Sequence, residues 1–177
     1  MQSAALFHPP RTLLEVFKML PEGTCAELID NTLYMSPAPT LDHQEITISL
    51  GSQLFSFIKR KKLGKIYLGP VDVYLNTKNA FQPDIVFVSV RNKSILKTDG
   101  IYGTPDLVIE VLSPGTKNID LTKKKNAYEQ AGVKEYWVID PTTKISTGFQ
   151  LVSQAFLEFK KEKGKLSSVL LKNTFKF

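Results

Sequence analysis

The chain has 177 residues, 42% of them hydrophobic and 23% charged, which suits a globular protein with enough length to bury a core as one domain over residues 1–177. Its net charge of +6 leans toward a polyanionic partner such as nucleic acid. The single cysteine, Cys25, excludes an internal disulfide and a thiolate metal cage; the first twenty residues lack the pattern of a secretory signal and no run approaches the ~20 apolar residues that cross a bilayer, so the expected location is cytoplasmic.

Thr12-Leu13-Leu14-Glu15 has capping-box spacing, and Leu13, Leu14, Phe17 and Leu20 follow at helical intervals, predicting a short helix that ends near Pro21. The stretch CAELIDNTLYMSP holds two apolar runs joined by Asp30-Asn31 and reads as a hairpin. From Leu41 to Leu63 the residues Ile46, Ile48, Leu50, Leu54, Phe55 and Ile58 recur at mostly helical spacing. That predicts the longest helix, ending in Lys59–Lys62, with Gly64 as its stop.

Strands then dominate. Lys65–Leu68 and Val71–Leu75 are short candidates, while PDIVFVSV (Pro83–Val90) and DLVIEVLS (Asp106–Ser113) are nearly unbroken and read as central strands covered on both faces. A helix from about Ile119 to Ala131 stops at Gly132, and a strand follows over Glu135–Asp140. Three further strand candidates close the chain: Ile145–Val152, Ala155–Phe159 and Val169–Phe175. The architecture is α/β or α+β, a mixed central sheet flanked by helices.

Carboxylates inside central strands are costly unless they meet a cation or a hydrogen-bonded partner. Glu110 lies in LVIEVLS, Asp84 opens PDIVFV, and Glu27 sits in AELI; Asp84 and Glu110 converge if their strands are neighbours. Asp106 shares a strand face with Glu110 but lies about 13 Å away, too far to share one ion, and reads as structural. With Leu121 at zero on a helical wheel, Ala127, Ala131 and Tyr128 form one apolar face. Lys124 falls in its middle, whereas Lys125 lies at its flank and Lys123 on the far side. A lysine on a packed face needs an anionic partner. Three carboxylates and such a lysine suit Mg²⁺ or Mn²⁺ chemistry on a phosphodiester, with Lys124 positioning water or stabilising developing charge.

Each residue also has a plainer role: Glu110 in a structural salt bridge, Asp84 in solvent at a strand start, Glu27 on an exposed edge, Lys124 snorkelling. Ser113 and Thr116 in LSPGT read first as a turn, Tyr128 and Trp137 as core, and Lys59–Lys62 and Lys160–Lys165 as solvated faces. No glycine-rich phosphate loop, G-x-S-x-G elbow or HExxH helix occurs. The two histidines, His8 and His43, stand far apart in sequence and argue against a His-based metal cage.

The pieces AELIDNTLYMSP, DHQ (Asp42–Gln44), QPDIVFVS, PDLVIEVLSPGT, DLTKKKNAY and GVKEYWVIDP occur in the order typical of one known group. In them the chain resembles the Uma-two type family of restriction-endonuclease-like proteins, within the PD-(D/E)XK nuclease superfamily. The resemblance implies a restriction-endonuclease-like core with extra strands at the C-terminus. It implies Asp84 and Glu110 as the two acidic ligands, Glu27 joining the metal shell, and a backbone carbonyl near Val111 completing it. The superfamily lysine is expected two residues after the second acid, where this chain has Leu112; Asp120, Lys124 and Tyr128 match the family's alternative pattern on the following helix. His43-Gln44 matches a family position where capping or support of the site competes with substrate contact. The implied function is Mg²⁺- or Mn²⁺-dependent hydrolysis of phosphodiester bonds in nucleic acid, DNA being the expected form, with a homodimer as a possible assembly. A catalytically silent nucleic-acid-binding or scaffold protein, and a small-molecule phosphoesterase, stand as alternatives.

Overall fold

The computed structural model describes residues 9–113, 115 and 117–177; His8 and Thr116, both considered above, lie outside them. Helix α1 (Leu13–Lys18) begins at a complete capping box, in which the Glu15 N–H donates to Thr12 Oγ1 at 3.2 Å and the Thr12 N–H donates to Glu15 Oε2 at 3.3 Å. Strands β1 (Ala26–Ile29) and β2 (Thr32–Met35) form the expected hairpin. Asp30 and Asn31 at its tip both take positive φ, 48° and 58°, the pairing that lets a two-residue turn match strand twist.

Helix α2 runs Leu41–Lys61, and its apolar residues Ile46, Leu50, Leu54 and Ile58 face the core. The helix stops two residues before the expected glycine, because Lys62 itself takes the left-handed conformation at φ 55°. Gly64 instead opens strand β3 (Gly64–Leu68), where the Val88 carbonyl passes so close that any Cβ would stand 2.1 Å from it. Strands β4 (Val73–Asn76), β5 (Asn79–Phe81) and β6 (Ile85–Ser89) follow; β5 is too short to register as a periodic run. A 3₁₀ turn over Val90–Ile95 leads to β7 (Ile101–Tyr102) and the central β8 (Leu107–Val111).

The expected Ile119–Ala131 helix is three segments: α3 (Lys117–Ile119), a π turn over Asp120–Lys124, and α4 (Lys125–Ala131), capped by Gly132 at φ 88°. After β9 (Glu135–Asp140) come β10 (Ile145–Val152) and β11 (Ala155–Lys163). The last candidate strand, Val169–Phe175, is corrected. Residues 169–172 form the turn between β12 (Lys165–Ser168) and β13 (Asn173–Lys176), and the apolar residues before and after it belong to opposite strands.

Instead of one central sheet there are two, plus the terminal hairpin. One sheet has the order β2-β1-β5-β4-β7 and the other β11-β10-β9-β8-β6-β3. In the larger sheet β8 and β9 are parallel, joined by the α3–α4 crossover. Its strands alternate between two cores, as a period of two requires. Ile85, Phe87, Leu107, Ile109, Val111, Trp137 and Ile139 face α2 and the terminal hairpin. Val86, Val88, Val108, Leu112, Tyr136 and Val138 face α4 and the smaller sheet.

On the β10 side, Gly148 pairs with Trp137, and a Cβ there would stand 2.7 Å from the indole ring. The ring is fixed by its N–H donating to Glu135 Oε1 at 2.6 Å, so it cannot yield. Gly148→Ala is therefore expected to lower stability by ~1–3 kcal/mol through overpacking, read as a lower urea midpoint with unchanged slope. A midpoint equal to wild type would show that the ring moves freely.

Candidate active site

Three elements bring one lysine and its acids together. The register of β6 on β8 pairs Ile85 with Ile109 and Val86 with Val108, and one more step sets Asp84 beside Glu110. Glu27 comes from β1, which is an interior strand between β2 and β5 and is buried at all four positions, so Glu27 is not an exposed edge residue. Lys124 ends the π turn and is 3% exposed. Its Nζ lies 2.7 Å from Glu110 Oε1, 2.9 Å from Glu27 Oε1 and 3.3 Å from Asp120 Oδ1.

The surrounding contacts fix each acid. The Gln82 N–H donates to Glu27 Oε1 at 2.8 Å, and the Tyr128 hydroxyl donates to Glu110 Oε1 at 3.0 Å. Asp84 Oδ2 accepts from the Val111 N–H at 2.7 Å and lies 3.1 Å from His43 Nε2. Asp84 therefore does not touch Lys124; it is tied to α2 and β8 instead. Val111, expected to offer its carbonyl, is engaged through its N–H. Asp106 is confirmed as structural by its contacts, accepting from Lys134 Nζ at 2.5 Å and from the Ser89 N–H at 2.7 Å.

The electrostatics follow from burial and sign. Burial removes water from the Lys124 ammonium and works against its charge. Glu110, Glu27 and Asp120 outweigh that and hold its pKa well above the ordinary lysine value. Burial pushes the Glu110 carboxyl well above the usual carboxylate range; Lys124 opposes this, and Asp120, Asp84 and Glu27 add to it. Burial alone would lower the His43 imidazole pKa, but the hydrogen bond and charge of Asp84 turn the shift upward, helped by the Val111 backbone. Four acidic side chains thus surround one ammonium and one imidazole: Lys124 meets Glu27, Glu110 and Asp120, and His43 meets Asp84.

Glu27, His43, Asp84, Glu110, Asp120 and Lys124 all line a cleft of about 450 Å³. A second cleft of about 500 Å³, beyond Pro70 and Gln82, has Tyr74 and Asp72 in its wall but lacks the converging acids and lysine, so the chemistry belongs to the first. Among the described residues no three of His, Cys, Asp and Glu stand close enough to hold one ion as they are. The donor set nonetheless fits a hard divalent cation: carboxylate oxygens, an excess of negative charge, and access from the cleft.

The sequence points to Glu27, Asp84, Glu110 and Lys124 as site residues and names Asp120 and His43 only through the resemblance, without their partners. Asp120 was legible only as part of the D…K…Y spacing; its i,i+4 relation to Lys124 was the available signal. The contact of His43 with Asp84 spans 41 residues of sequence and has no local signature.

A two-sheet α/β fold with an acid–lysine cluster at the neighbouring ends of β6 and β8 defines a restriction-endonuclease-like protein. The sequence profile of the Uma2 family, described as "Putative restriction endonuclease", matches residues 14–175, and the chain belongs to that family. The crystal structure of a protein described as "a putative nuclease belonging to DUF820", from Anabaena variabilis ATCC 29413, superposes with a TM-score of 0.75, covering 92% of each chain. At 21% identity that likeness is one of fold. No curated protein matches the chain.

Removing the ammonium while leaving its acids leaves buried charge uncompensated. Lys124→Met is expected to cost ~3–5 kcal/mol at neutral pH, and adding Glu110→Gln is expected to recover part of it. Urea unfolding of the two single variants and the double variant checks this; additive losses would show that the pair is not coupled.

Proposed function

We propose that the protein is a metal-dependent endonuclease hydrolysing phosphodiester bonds in nucleic acid, with DNA as substrate. The observation that carries this reading is the gathering of four acidic side chains in one cleft around a buried lysine that pairs with only three of them. Family membership supports the reaction class, and the net charge of +6 suits a polyanionic substrate.

Asp84 and Glu110 would hold Mg²⁺ or Mn²⁺, with Glu27 and the Val111 backbone carbonyl joining them. When bound, such an ion supplies Lewis-acid stabilisation of a phosphate oxygen and a lowered pKa for water. The chain's own groups do the rest. The Val111 N–H and His43 hold the Asp84 carboxylate in one orientation. The Tyr128 hydroxyl holds Glu110, and the Gln82 N–H holds Glu27. Lys124 remains protonated among its acids, and it would act by turning one of the three N–H groups they engage toward an attacking water or the charge developing on phosphate.

A catalytically silent, DNA-binding role is the second reading. It is favoured by the engagement of Lys124 in three ion pairs and by the lack, among the described residues, of three donors already converged on one point.

Plasmid and single-stranded substrates incubated with Mg²⁺, Mn²⁺ and chelator separate the two. The nuclease reading expects metal-dependent cleavage that Asp84→Ala and Glu110→Ala abolish, with both variants folded by circular dichroism. It also expects Mg²⁺ to raise the melting temperature of wild type and not of Asp84→Ala. Cleavage by Asp84→Ala at the wild-type rate overturns the assignment. Salt-sensitive DNA binding without products after long incubation with Mn²⁺ favours the silent role, and hydrolysis of a chromogenic phosphodiester but not of DNA favours a small-molecule substrate.

A further inference from the structure

Helix α2 carries two apolar faces, and only one of them is covered. Its buried residues Ile46, Leu50, Leu54 and Ile58 pack on the larger sheet. Leu41, Ile48 and Phe55 recur at intervals of seven residues and lie on another line of the same helix, about 140° around the axis at roughly 100° per residue. They are 88%, 61% and 53% exposed. Leu68 of β3, 43% exposed, leans on Gly51 and extends the stripe between Ile48 and Phe55. A seam of large apolar side chains at heptad spacing is how one helix packs along another.

The charges flanking this seam say what covers it. At the N-terminal end stand Asp42 and Glu45, and at the C-terminal end Lys59, Arg60, Lys61 and Lys62, all exposed. Glu45, Ser52 and Lys59 run beside the seam at the same spacing of seven residues, about 40° around the helix. A second α2 running antiparallel about a two-fold axis near Ser52 would set Ile48 against Phe55 and Glu45 against Lys59, twice over. The same axis would bring Leu41 beside the stem of Lys62. One face is thereby complementary to itself in both shape and charge, as a two-fold interface requires. A parallel arrangement would instead stack acid on acid and base on base.

We propose that the exposed face of α2 is a homodimer interface in which two copies of this helix pack antiparallel. Thr40, His43 and Gln44, at the start of α2, line the acid–lysine cleft, so the antiparallel copy would lay its Lys59–Lys62 turn along the rim of that cleft. This last consequence, basic side chains from one copy flanking the cleft of the other, rests on the nucleic-acid reading; the association itself does not.

Sedimentation equilibrium of the full chain without DNA or metal tests the association. The expected result is a reversible dimer at micromolar concentration. Ile48→Glu and Phe55→Glu are each expected to raise its dissociation constant at least ~10-fold while changing the melting curve of the monomer little, since both side chains are more than half exposed and lie outside the core. Glu45→Lys and Lys59→Glu should each weaken the dimer, and the double variant carrying both should restore it toward wild type, because only the antiparallel register pairs those two positions. A wild-type protein that stays monomeric at 100-fold higher concentration overturns the proposal, as does a dimer indifferent to Ile48→Glu or a charge exchange that fails to restore association. None of these readouts involves cleavage, so a silent enzyme that dimerises, or an active one that does not, would each be recognised.

Discussion

A buried ammonium ringed by carboxylates is the constraint that organises this molecule. Lys124 is held by Glu27 from the smaller sheet, Glu110 from the larger one and Asp120 from its own turn. Taking any one of these charges out of water alone would cost several kcal/mol. They can be buried only together, so the two sheets and the crossover between β8 and β9 must close on one another in a single register. The aromatic rings of Phe81, Tyr128 and Tyr136, in edge or tilted contact with one another, wall off this cluster on the core side. Their low polarity and the exclusion of water strengthen each ion pair and raise the cost of a missing partner. The opposite side borders the cleft, which Glu27, Asp84, Glu110 and Asp120 line.

The π turn over Asp120–Lys124 is how one short segment supplies both an acid and a base to that cluster. Such a turn is wider than an α-helical one and is often found where side chains must be re-aimed. Here Asp120 and Lys124 are both buried, while Leu121 between them is 38% exposed. The Tyr136 hydroxyl donates to the Asp120 carbonyl at 3.0 Å and anchors the turn to β9. Lys123, three residues beyond Asp120, leaves the cluster altogether and donates to the Tyr34 hydroxyl at 2.8 Å.

These features explain which residues could be read from the chain and which could not. Glu110 stood out because an acid in a run of β-branched residues contradicts its surroundings, and Lys124 because a lysine contradicted an apolar helix face. Both contradictions are local and survive without coordinates. His43 could be placed near the site by resemblance, but its partner could not, because only the packing of α2 against β6 and β8 brings its ring to Asp84. Strands β5 and β7 carry too few residues to show alternation, and the β12–β13 turn was hidden because Val169, Leu170 and Leu171 continue the apolar pattern through it. Long, periodic or self-contradicting segments were legible; short strands and long-range pairings were not.

The departure from the superfamily spacing has a physical resolution in the same cluster. A lysine two residues after Glu110 would share its strand face and approach the acids from β8. That position is Leu112, which is 6% exposed and packs into the core beside Tyr128 and Val138. The face of β8 beyond Glu110 is therefore spent on burial, and the ammonium must come from across the interface. Lys124 arrives from the crossover segment and meets Glu110 at 2.7 Å. What an acid-lined phosphate site requires is a positive charge at a point in space, and the backbone that delivers it is free to differ. In this chain the exchange couples the site to the fold more tightly than a strand lysine would, because the group proposed to act on substrate is also the one that joins the two sheets.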